Sequence, residues 1–129
     1  MTTPRILIIE DHKEFREAVH RFLELKNIKA RVMEASSGEE GVLLARKVKP
    51  KVVITDFSLG GMNGLETAQQ IIEHDPKCGI IMLTMFDPKE IARMGDKDGA
   101  VDVFISKSDL YDRLMPAIEG ILDHPRRSP

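Results

Sequence analysis

Arg5-Ile6-Leu7-Ile8-Ile9-Glu10-Asp11 decides the fold, together with Lys51-Val52-Val53-Ile54-Thr55-Asp56. Each is an aliphatic run that stops at an acid. Nearly continuous apolar runs of this length fit strands covered on both faces, as in a parallel sheet. The acids then stand at the carboxyl ends of two strands. Side by side, those strands gather Glu10, Asp11 and Asp56 into one pocket. Burying these charges together is costly without a cation. Carboxylate-plus-water ligation suits Mg²⁺.

Further strands are expected at 31–35, 80–84 and 101–105, with the first two runs forming strands at 5–10 and 52–56. Amphipathic helical patterns lie between them. Phe15, Ala18, Val19, Phe22 and Leu23 recur at i, i+3, i+4 spacing and form one buried stripe. Ser37 with Glu40 has the capping-box pattern ahead of Leu44, Ala45 and Val48. Asn63 precedes a helix that buries Leu65, Ala68, Ile71 and Ile72. Asp87, Pro88 and Glu90 open another, with little apolar stripe beyond Ile91 and Met94. Gly95 and Gly99 follow closely, so this helix should be short or mobile. A last helix spans about 108–122 and carries Pro116, which should bend it. Five β/α units imply a doubly wound α/β domain over 1–124, with 125–129 a disordered tail or the start of a linker. Ligands of such sheets sit beyond the strands' carboxyl ends at the topological switch point. With the acids on the first and third strands, the expected order is 2-1-3-4-5.

The length of 129 residues fits one domain, and 42% hydrophobic with 31% charged residues is ordinary for a globular protein. A formal charge of -2 argues against bulk affinity for nucleic acid. No apolar run is long enough to span a membrane. Cys78 is the only cysteine, which excludes a disulfide framework and a cysteine-based zinc site. A cytosolic location is expected. His12 reads as an exposed residue at a helix start, and His20, His74 and His124 lack metal-ligand spacing. Cys78 reads as structural, and Lys47, Lys49 and Lys51 as a solvated edge.

Two further polar groups join the acids. Thr84 closes the fourth strand and Lys107 follows the fifth. Three acids, a hydroxyl and a lysine around a metal are the parts for handling a phosphoryl group. Asp56, alone on its central strand, is the expected nucleophile. Glu10 and Asp11 suit a paired role at the metal.

At this point the residues resemble a family, the receiver domains of two-component response regulators, over essentially the full length. The pattern is Ile9-Glu10-Asp11-His12, Thr55-Asp56-Phe57-Ser58-Leu59, Met62-Asn63-Gly64, Leu83-Thr84 and Phe104-Ile105-Ser106-Lys107. The ordered set is specific although no single piece is. The family has the flavodoxin-like fold with that same strand order, so order and resemblance are one expectation. The stretches 11–17 and 62–66 look most like receivers followed by a LuxR-type DNA-binding domain. The resemblance implies that Asp56 accepts phosphate from a sensor histidine kinase or phosphotransfer protein. Glu10, Asp11, Asp56 and the Ser58 backbone carbonyl would bind Mg²⁺. Lys107 would pair with phosphoryl oxygens, Thr84 would move onto the phosphate, and Phe104 would change rotamer as the switch. A homodimer on phosphorylation is a further implication. Gly60 stands where the family usually has proline, which should loosen the loop beside Asp56. Met85 should narrow access to Asp56. Val103, Ser108 and the register of 95–99 also depart from the pattern.

Two rival readings differ in kind. An aspartyl-nucleophile phosphatase resembles this site but usually carries a second acid two residues after the nucleophile, where this chain has Ser58. A degenerate receiver, acting without phosphate, is suggested by Gly60 and Met85. No helix-turn-helix follows Leu122, so no direct DNA reading is expected of this chain. It reads as the N-terminal part of a transcriptional regulator, or else as a stand-alone receiver.

Overall fold

The computed structural model describes residues 3–96 and 99–124. The expected tail 125–129, and Lys97 and Asp98 in the glycine-flanked segment, lie outside the described residues, as does the Met94 side chain. Strands β1 (Arg5–Ile9), β2 (Arg31–Ala35), β3 (Val52–Asp56), β4 (Gly79–Thr84) and β5 (Val103–Ser106) alternate with helices α1 (Lys13–Leu25), α2 (Gly38–Val48), α3 (Gly64–His74), α4 (Pro88–Gly95) and α5 (Leu110–Asp123). All pairings are parallel and the sheet order is β2-β1-β3-β4-β5, as expected.

The apolar runs are explained by where they lie. Every residue of β3 and β4 is buried, as are the last four of β1. Alternate residues feed two cores. Ile6, Ile8, Val52, Ile54, Ile81 and Leu83 pack with Val19 and Leu23 of α1 and with Leu110, Leu114 and Ile118 of α5. Leu7, Ile9, Val53, Ile80 and Met82 pack on the other side with α2, α3 and Ile91 of α4. Cys78 is buried in this second core.

Helix starts follow local chemistry. Asn63 and Glu66 form a complete capping box, with Asn63 Oδ1 accepting from Glu66 N–H at 2.9 Å and Glu66 Oε1 accepting from Asn63 N–H at 3.3 Å. At α2, Ser37 Oγ accepts from Glu40 N–H, but the Glu40 carboxylate accepts from Ser36 N–H, one residue earlier than a capping box. Asp87 caps α4 by accepting from Lys89 N–H, and α4 is short, with eight residues. α5 runs through Pro116, which costs the Asp112 carbonyl its helical partner on an exposed face. β5 begins two residues later than expected. Val101 is buried, but Asp102 engages Ile80 through both its N–H and its carboxylate before regular pairing starts at Val103.

α1 is tied to edge strand β2 by a polar cluster. Arg16 Nε donates to Glu34 Oε1 at 2.8 Å, and His20 Nδ1 lies 2.6 Å from Glu34 Oε2. Burial pushes the Glu34 carboxyl up, but hydrogen bonds from His20 and Arg16 outweigh it and hold the group below its ordinary 4.5. A carboxyl depressed on folding contributes stability above its unfolded value, and the contribution disappears as pH falls through the folded value. The stability gap between the native chain and Glu34→Gln should therefore narrow steadily in urea titrations taken below pH 4.5.

Gly64 opens α3 against the end of β3. A Cβ there would collide with the Asp56 carbonyl oxygen and lie 2.8 Å from Phe57 Cα. Both neighbours are backbone, so relief requires the helix to move. Gly64→Ala should cost about 1–3 kcal/mol in urea unfolding, the range of overpacked sites.

Candidate functional site

The carboxyl edge of the sheet collects Glu10, Asp11, Asp56 and Lys107. Glu10 follows β1 and is 2% exposed, and Asp56 ends β3 and is 3% exposed. Lys107 opens a short 3-10 turn (Lys107–Asp109) after β5. Its Nζ donates to Asp56 Oδ2 at 2.7 Å and lies 3.7 Å from Glu10 Oε1. It also sits 4.5 Å from the centre of the Phe15 ring on α1. That cation–π contact helps aim a long side chain. The other Asp56 oxygen accepts from Ser58 N–H at 3.3 Å.

Glu10 is in a different state. Among the described residues, neither of its carboxylate oxygens has a hydrogen-bond partner, and both are buried. Burial, and then the neighbouring Asp56 carboxylate, push its carboxyl from 4.5 up to about 8; Lys107 opposes this and Asp11 adds to it. A buried carboxyl of this kind keeps a proton or takes a cation. Asp11 is more open, with its side chain 35% exposed, and Oδ2 accepts from Gly60 N–H at 3.2 Å. His12 Nδ1 lies 3.2 Å from Asp11 Oδ1. Ligand atoms of Glu10, Asp11 and His12 lie within 4.8 Å of one another. His12 is exposed, as expected, but it stands closer to the acids than a mere helix-start residue need do.

The remaining expected residues lie at the same edge with other engagements. Thr84 is fully buried at the end of β4, and Oγ1 accepts from Phe86 N–H at 2.9 Å. Phe104 is half-buried on β5, in register with Met82, and so shares a sheet face with Thr84. Ser58 is exposed. Met85 is 76% exposed at the surface. Phe86 packs edge-on against Phe57, with ring centres 6.4 Å apart.

The Gly60-Gly61 loop does more than loosen. Gly61 adopts φ +79°, a left-handed conformation that favours glycine. Gly60 supplies the N–H that holds Asp11, a bond proline could not make. Sequence reading passed over this bond, and also the Arg16 guanidinium, whose NH1 donates to the Glu10 carbonyl at 2.8 Å. Arg16 lies on the polar side of α1, where nothing in the spacing marks a partner on β1.

Comparison with known proteins agrees with this arrangement. The family model described as the response regulator receiver domain matches residues 6–121. The chain is 42% identical over 121 residues to the transcriptional regulatory protein LiaR of Bacillus subtilis (strain 168), across 90% of this chain and 56% of that protein. It is 29% identical over 127 residues to the transcriptional regulatory protein DegU of Brevibacillus brevis, across 95% of this chain and 53% of that protein. A two-component response regulator of the LuxR family from Aurantimonas sp. SI85-9A1 superposes with a TM-score of 0.84 at 31% identity, covering 99% of this chain and 91% of that one. The chain spans about half the length of these two curated relatives. It belongs to the response regulator receiver domain family, the phosphate-accepting signalling modules of two-component systems. Among the described residues, no helix is long and apolar enough to cross a membrane.

Lys107 pairs with Asp56 at 2.7 Å and lies 3.7 Å from Glu10. Lys107→Met should lower stability at pH 7 by about 2 kcal/mol, less than for a fully buried pair because the lysine is partly exposed. Urea unfolding would check this.

Proposed function

We propose that Asp56 is the phosphoacceptor and that the chain takes its phosphoryl group from a phosphohistidine on a sensor histidine kinase or phosphotransfer protein. The observation that carries this is the 2.7 Å bond from Lys107 to a buried Asp56, beside a buried Glu10 carboxyl that has no hydrogen-bond partner among the described residues. An Asp56 carboxylate oxygen attacks phosphorus and the P–N bond breaks, its electron pair staying on the histidine. The product is an acyl phosphate, which water later hydrolyses. Lys107 stands where it can follow the new phosphoryl oxygens as a point charge.

The donor set fits Mg²⁺: hard carboxylate oxygens from Glu10, Asp11 and Asp56, with the Ser58 backbone carbonyl as a further ligand. Buried Glu10 oxygens without a hydrogen bond are the feature that most favours a cation here. When bound, the ion supplies positive charge against the phosphoryl oxygens. Thr84 is the switch hydroxyl. Its present bond from Phe86 N–H must be exchanged if the hydroxyl turns to the phosphate. Phe104, on the same sheet face, is the residue whose rotamer would report that move. The chain is best read as the N-terminal receiver of a transcriptional regulator that works in the cytoplasm and pairs as a homodimer on phosphorylation. Ser58, in place of a second acid, counts against a phosphatase.

Intact mass after incubation with a small phosphodonor and Mg²⁺ should show one added phosphoryl group. Asp56→Asn and removal of Mg²⁺ by a chelator should each abolish it. An adduct that survives in Asp56→Asn would overturn the assignment. No adduct in the native chain, together with no beryllofluoride binding, would favour a receiver that acts without phosphate.

A further inference from the structure

The acidic pair leaves the sheet on backbone with little regular support. β1 ends at Ile9 and α1 begins at Lys13, so Glu10 and Asp11 lie on the connecting peptide. That peptide is gripped from two sides. The Glu10 N–H donates to the Ala35 carbonyl at 3.1 Å, and the Glu10 carbonyl accepts from Arg16 NH1 at 2.8 Å. The same guanidinium uses Nε on Glu34 Oε1 at 2.8 Å, while His20 Nδ1 holds Glu34 Oε2 at 2.6 Å. Arg16 is only 14% exposed and Glu34 27%.

We propose that Arg16, braced by Glu34 and His20, is a positioning residue that sets where Glu10 and Asp11 stand in the site. This rests on the metal reading given above and adds residues to it that touch no ligand. A helix-to-sheet ion pair alone would need only the bond to Glu34. The second bond ends on the carbonyl of the acid that carries the site. A planar fork can satisfy a carbonyl and a carboxylate at once, whereas a lysine ammonium is a point charge with no such fixed geometry. Groups that orient metal ligands from behind often change affinity by 10–100-fold when removed. Both Asp11 and Glu10 would shift with the peptide. The Asp11 shift can be seen without any metal, because its carboxylate holds the Gly60 N–H.

The test compares Arg16→Met and Arg16→Lys with Val19→Ala in the full chain. Val19 is buried on the same helix and faces the core on the far side of the sheet from α2, so its truncation destabilises α1 without touching the clamp. Two quantities are read: Mg²⁺ affinity by titration calorimetry, and the Gly60 amide resonance without metal. Arg16→Met should weaken Mg²⁺ about ten-fold or more and move the Gly60 amide. Arg16→Lys should fall between it and the native chain. Val19→Ala should leave both readings near native despite its lower melting temperature. The proposal is overturned if Arg16→Met changes neither reading, or if Val19→Ala changes them as much. If Arg16→Met does not fold, Arg16→Lys decides by the same criteria. If the native chain takes up no Mg²⁺, the metal reading fails, and the Gly60 amide alone decides the clamp.

Discussion

The contact between Lys107 and Asp56 is the constraint on which the site depends. Lys107 leaves from the end of β5, an edge strand, and Asp56 ends the central β3, with β4 between them. Two strand spacings amount to roughly 9.5 Å. Only a long side chain set on a suitable turn can cross that gap. The 3-10 turn after β5 and the Phe15 ring beneath the ammonium supply the direction. The pairing also tolerates a buried aspartate where an unpaired one would be expelled or protonated. Glu10 shows the contrast: equally buried and without a hydrogen-bond partner among the described residues, its carboxyl is pushed up, first by burial and then by Asp56.

The loop from β3 to α3 ties this site to the scaffold. Ser58 N–H engages Asp56, Gly60 N–H engages Asp11, and the Asn63–Glu66 box then starts α3. Gly64 brings the helix start so close to the Asp56 carbonyl that no side chain fits. Loop, acids and helix start are thus held by backbone N–H groups that donate to side-chain oxygens. The glycine at 60, read from sequence as a loosening departure, proves to be a donor. The bond it makes is one that the more usual residue could not form.

Some features were legible in the residues and others were not. The aliphatic runs, the acids that end them, and Thr84 and Lys107 at later strand ends were plain, because strand burial on two faces imposes a pattern that spacing preserves. The start of β5 was misplaced because Val101 is as buried as a strand residue, while pairing is deferred by the Asp102 contacts with Ile80. The Ser37 and Glu40 pattern was correct in residues but not in geometry, since a flexible glutamate can choose between adjacent N–H groups. Arg16, Glu34 and His20 gave no signal, as each is an ordinary polar residue on a helix or an edge strand.

By itself the sequence determined the alternation of strands and helices and the identity of the acids. Those follow from periodic burial and from the cost of placing charge beside apolar runs, and both act over short stretches of chain. Tertiary structure alone decided which Asp56 oxygen meets Lys107, that the buried Glu10 carboxyl is left without a hydrogen bond, and that Arg16 grips the peptide behind it. These depend on angles and distances between elements far apart in the chain. No local pattern records them, because each is set only when the helices have packed on the sheet.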